Sequence, residues 1–167
     1  MTHQDIRSYF EAEKSATLVF MIIGILTIIA GIAFFFLKSK TYIGVGFPLV
    51  VFGVIQLMVG YSVYSRTDKQ VSDVIYSYDM NPDYFKNKEL PRMERVNKNF
   101  VVYRNVELAL FIASIVLIWL NYGKQNVWLG VGAGLFFQAL ILFASDQFAG
   151  RRANKYTNLI KEFIQKN

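Results

Sequence analysis
The sequence predicts an all-α membrane protein: a four-transmembrane-helix bundle built of two repeated hairpins, with amphipathic cytoplasmic helices. Three observations predict it. Hydrophobic residues make up 54% of the 167 and aromatic residues 16%, more than a soluble domain of this length needs for its core, so part of that surface must face lipid. These residues gather into four runs almost free of charge, about 16–37, 42–65, 105–122 and 126–146. At about 1.5 Å of rise per residue, each run comes close to or exceeds the roughly 30 Å of a bilayer's hydrocarbon layer. Basic residues, finally, are distributed very unevenly among the connecting segments.

The whole chain, 1–167, reads as a single membrane domain with segments 1–15, 66–104 and 147–167 outside the spans on one side. Span one follows Asp5, Glu11 and Glu13, which suits a retained span better than a cleavable signal peptide with a basic flank. Arg7 and Lys14 precede it. Eight basic residues lie between spans two and three (Arg66, Lys69, Lys86, Lys88, Arg92, Arg95, Lys98, Arg104) and five follow span four (Arg151, Arg152, Lys155, Lys161, Lys166). Only Lys38, Lys40 and Lys124 lie in the other two loops, a split of fifteen against three. The positive-inside rule then puts both termini in the cytoplasm. Tyr42, Trp119, Tyr122 and Trp128 fall at the expected outer boundary, and Tyr61, Tyr64 and Tyr103 at the inner one. The net charge of +6 is thereby explained by membrane topology, and no nucleic acid is expected as a partner.

Lys38 to Leu49 reads KSKTYIGVGFPL and Lys124 to Leu135 reads KQNVWLGVGAGL, so an offset of 86 superposes a lysine, an aromatic, Gly-Val-Gly and a leucine. Two copies of one hairpin, or convergence on similar tight turns, would both give this pattern; duplication implies a pseudo-twofold axis along the membrane normal. Gly24 and Gly31 in span one, Gly46, Gly53 and Gly60 in span two, and Gly130 and Gly134 in span four recur at spacings of seven or four. Each set shares a helix face, and packing seams are expected there, because missing side chains let backbones approach closely in lipid.

Past span two, Val71, Val74, Ile75 and Tyr78 repeat at helical spacing, as do Tyr156, Leu159, Ile160 and Phe163 past span four. Such helices would lie on the anionic leaflet, with Lys155 and Lys161 toward headgroups, or pack into a small cap. Asn81-Pro82-Asp83 should break the first of them. Leu90-Pro91 suits the start of a long helix running into span three.

Polar groups inside the bilayer are the first candidates for function, since each costs free energy there. Gln56 and Gln138 lie nine and eight residues above Ser65 and Asp146, hence at similar depth near mid-bilayer, and should hydrogen-bond each other or line a polar path. Glu107 and Asp146 share a depth near the inner boundary, with Arg104, Arg151 and Arg152 close by, so an inner-boundary charge cluster of ion pairs, or a proton or cation site, is expected. Cysteine is absent and His3 is the sole histidine, so thiolate, disulfide and histidine chemistry are excluded and neither a metal nor a cofactor is expected.

Glu94-Arg95-Val96 and Arg104-Asn105-Val106-Glu107 resemble pieces of the basic motif of the glutathione-dependent membrane enzymes of eicosanoid metabolism, also four-span proteins. In that family the two elements are closer together and lead into the second span; here they precede the third. Met93-Glu94-Arg95-Val96-Asn97-Lys98-Asn99-Phe100 and Asp146-Gln147-Phe148-Ala149-Gly150-Arg151-Arg152-Ala153 resemble segments of an uncharacterised family of small bacterial four-transmembrane inner-membrane proteins. That resemblance implies the bacterial inner membrane and the same span count, with no activity attached. The expected function is non-enzymatic: helix-mediated binding of another membrane component, a membrane protein or a second copy, one version being an immunity-type inhibitor of a membrane-inserting toxin. A small ion or solute channel is the alternative.

Overall fold
The protein is described by a computed structural model that covers residues 1–166, with side chains to Gln165. It consists of α1 (His3–Phe36), α2 (Lys40–Met80), α3 (Pro82–Leu120) and α4 (Val127–Lys166), running alternately up and down. All four helices are long and apolar enough to cross a membrane. Each also runs well past its apolar stretch at the same end of the bundle, where the charged residues lie.

Local chemistry sets the helix ends. Thr2 opens α1 with a reciprocal capping box, its hydroxyl accepting from the Asp5 amide at 3.3 Å while Asp5 accepts from the Thr2 amide at 2.7 Å. At the apolar end, α1 reverses into α2 through three residues, with Lys38 in the left-handed region at φ 53°. At the charged end a single residue, Asn81, separates α2 from α3: its side chain accepts from the Tyr84 amide at 2.9 Å, and Pro82 follows at N1. That cap corrects the expectation that the third helix begins at Leu90-Pro91. The helix starts at Pro82, and Pro91 sits inside it on an exposed position. Gly123, at φ 74°, turns the chain after α3, and Asn126 caps α4 by accepting from the Leu129 amide at 2.9 Å.

Within the bundle α2 and α4 form the inner pair. Helix α1 packs on α2 and α3 packs on α4; the backbones of α1 and α3 stay apart among the described residues, and these two helices meet through side chains at the charged end, where the Arg92 guanidinium lies over the Phe10 ring. The lipid-facing share follows that order: only 17% of the apolar window of α1 and 11% of that of α3 is buried, against 39% for α2 and 28% for α4.

The bundle's apolar core lies at the charged end, outside the spans. Ile6, Tyr9 and Phe10 of α1, Phe85 and Met93 of α3, and Ala153, Tyr156 and Ile160 of α4 are all buried there. Val71, Val74, Ile75 and Tyr78 of α2 pack against them, so the helix extensions pack together into a cap. Tyr9 stacks on Tyr156 at 4.2 Å between ring centres. Water drives this part of the fold together, because here apolar area is removed from solvent. Between the spans, where lipid is as apolar as leucine, close backbone packing has to do it instead.

Candidate functional site
Glycine makes that close packing possible. On the α1–α2 seam a Cβ at Gly31 would lie 2.9 Å from the Gly46 carbonyl oxygen, and one at Gly53 would lie 2.8 Å from that of Gly24. Gly60 lies against Met21. On the α2–α4 seam Gly134 meets Pro48 and the Val45 carbonyl, while Gly130 abuts the Thr41 carbonyl and Gly44 the Val127 carbonyl. Gly44 is absent from the glycine set picked out by spacing. The 86-residue offset, which pairs Gly44 with Gly130, was the signal that could have found it.

The two seams close around the glutamines. Gln56 is 0% exposed and Gln138 1%. Gln56 Nε2 donates to Gln138 Oε1 at 3.4 Å, and Gln138 Nε2 donates to the Leu49 carbonyl at 3.4 Å. Thr27 Oγ1 donates to the Gly24 carbonyl at 2.9 Å and approaches Gln56 Oε1 at 3.5 Å. A Cβ at Gly24 would press on Gln56 Cβ at 3.1 Å, so glycine there leaves room for the amide. These amides are satisfied by protein partners within the seam.

At the boundary between the spans and the charged end, the structure brings Glu107 and Asp146 close enough to interact, and Glu107 is buried with its Oε2 lacking a hydrogen-bond partner. Beside them a cavity of about 110 Å³ opens between α3 and α4, lined by Arg104, Asp146, Arg151, Asn97, Gln147 and Asn154 among others. The ion pairs expected of this cluster do not form: among the described residues, neither Arg104 nor Arg151 has a carboxylate within 4.0 Å. Arg152, one helical position on, acts electrostatically on Glu13 and Tyr9, toward α1.

That direction leads to a buried charged group the spacing of residues did not reveal. Glu89, 4% exposed, takes a bidentate pair of hydrogen bonds from Arg92, each 2.7 Å, and the Arg92 guanidinium lies 5.6 Å from the centre of the Phe10 ring. Glu13 reaches the same group, with its Oε2 buried and without a hydrogen-bond donor. Burial raises its pKa above the ordinary carboxylate value, against the pull of Arg92, Arg66 and Arg152. Burial likewise raises the hydroxyl pKa values of Tyr9 and Tyr156. The i, i+3 relation of Glu89 and Arg92 was visible in the sequence; their enclosure by four helices was not. Exposed ion pairs tie the rim of the cap: Lys14 with Asp68 at 2.6 Å, Lys161 with Glu94 at 3.3 Å.

The fold is a four-helix bundle in which every helix is long and apolar enough to cross a membrane. Comparison with protein-family models, with curated proteins and with solved structures gives no match.

Proposed function
We propose that this chain is a non-enzymatic integral protein of a bacterial inner membrane that acts by binding another membrane component through its helix faces. The observation that carries the proposal is the exposure of α3, with 11% of its apolar window buried, and of α1 on the far side of the bundle. Val116, Ile112, Ile25 and Ile29 are among the apolar residues these faces present. The partner is a membrane protein or a second copy of the chain. The alternative of a channel through the single bundle is less well supported, because Gln56 and Gln138 are enclosed and satisfy each other rather than lining a wet path.

The cytoplasmic location of both ends rests on the fifteen-to-three split of basic residues. Since the chain has no cysteine, single cysteines introduced at Ser72 and Gln125 can be labelled with an impermeant reagent in intact cells; only the latter should react. Descent from two hairpins is supported by the reciprocal contacts Gly44 with Val127 and Gly130 with Thr41, which the 86-residue offset interchanges.

A photocrosslinking residue at Val116 or Ile112 should yield a product of one defined mass in membranes, whereas one at Ser114, 0% exposed, should not. Crosslinks to lipid alone from both exposed positions would defeat the binding proposal. For the immunity version, a membrane-inserting toxin encoded beside this gene supports it, and protection of cells against that toxin tests it.

A further inference from the structure
We infer that the cavity between α3 and α4 at the charged boundary binds the phosphate of an anionic phospholipid headgroup, held between Arg104 and Arg151. The two side chains line one cavity of about 110 Å³, Arg104 from α3 and Arg151 from α4, and neither is neutralised by a carboxylate among the described residues. A guanidinium fork matches phosphate oxygens and forms charge-assisted hydrogen bonds with them. Depth selects the source of the anion. Arg104 directly precedes the third span and Arg151 follows the fourth by five residues, about 7.5 Å along a helix. The polar layer of one leaflet is roughly 5–7.5 Å thick, so the cavity extends from its inner edge at Arg104 to its outer edge at Arg151, and phosphate ester is the resident anion of that layer.

Asp146 lines the cavity as well. Its charge opposes phosphate binding, which sets the sign of one test. The inference rests on the membrane-spanning reading, and not on which side of the membrane the site faces.

The test is native mass spectrometry of the full chain released from nanodiscs of phosphatidylcholine containing one-fifth phosphatidylglycerol of matched acyl chains. The wild type should retain one phosphatidylglycerol in preference to phosphatidylcholine. Arg104→Gln with Arg151→Gln should weaken that retention by about tenfold or more, from loss of the charge-assisted hydrogen bonds to phosphate. Lys98→Gln with Lys155→Gln, on exposed positions outside the cavity, should change it less than twofold. Asp146→Asn should strengthen it. Equal losses in the arginine and lysine variants would reduce the effect to general surface charge and overturn the site. So would displacement of the lipid by millimolar glycerol 3-phosphate, which would assign the cavity to a soluble anion. If the arginine variant does not insert, Asp146→Asn decides alone: unchanged or weaker retention overturns the inference. Failure of the wild type to enter nanodiscs would instead strike the membrane-spanning reading itself.

Discussion

Replacing Gly44 or Gly130 by alanine tests how the inner pair of helices is held. A Cβ at Gly44 would run into the Val127 carbonyl and stand 3.0 Å from Gly130 Cα; one at Gly130 would run into the Thr41 carbonyl and stand 2.9 Å from Gly44 Cα. The obstacle in both cases is backbone, which has no alternative rotamer, so α2 and α4 must separate at the crossing. Overpacking of this kind costs about 2–3 kcal/mol, and the alanine's better helix propensity returns less than 1 kcal/mol. Gly150 is the control: its nearest obstacle is the Phe100 side chain at 3.6 Å, an ordinary contact, so Gly150→Ala should stabilise the protein by up to about 1 kcal/mol. Because the two seam glycines face each other, separation forced by one substitution makes room for the other, and the double variant should cost clearly less than the sum. The assay is reversible unfolding in mixed micelles, following helicity. Single variants within about 0.5 kcal/mol of wild type, or strictly additive losses of the size expected, would refute the close backbone contact.

Gln56→Leu and Gln138→Leu should each destabilise by about 1 kcal/mol, with the double variant below the sum because the Gln56–Gln138 hydrogen bond is lost either way; the same unfolding assay reads it. Glu13 has a folded-state pKa above its unfolded one, so the folded state holds more protons and stability falls as pH rises from the ordinary carboxylate range through the raised value. Glu13→Gln should flatten that part of a stability–pH series and raise stability at neutral pH; an unchanged slope would assign it to another group. Glu89→Gln leaves the Arg92 guanidinium without its carboxylate in a buried setting and should cost about 2–3 kcal/mol, while Glu89→Leu with Arg92→Met should cost less. Thermal melts in mild detergent would rank the two.

Much of the fold was legible because the bilayer imposes simple rules. Four apolar runs give four helices long enough to span, and Asn81-Pro82 ends one helix and starts the next, since a side-chain cap and a residue without an amide proton act within a single turn. Pro91 misled for the same local reason: proline suits a first turn, yet the earlier cap had already started the helix. The shared depth of Gln56 and Gln138, and of Glu107 and Asp146, could be counted from the sequence because helix rise is constant. Which way the arginines point could not, because a long flexible side chain near water has many rotamers of similar energy; Arg104 and Arg151 line a cavity, whereas the charge of Arg152 acts on Glu13.

By itself, then, the sequence determined the number of spans, their polarity pattern and the levels at which polar groups sit, all properties of one helix and its solvent. The tertiary structure alone decided that α2 and α4 form the inner pair while the backbones of α1 and α3 stay apart, and that Glu13, Glu89 and Arg92 share a buried site. Those depend on where backbones separated by dozens of residues can approach most closely. Gly44 against Val127 and Gly130 against Thr41 set that approach, and no local periodicity encodes it.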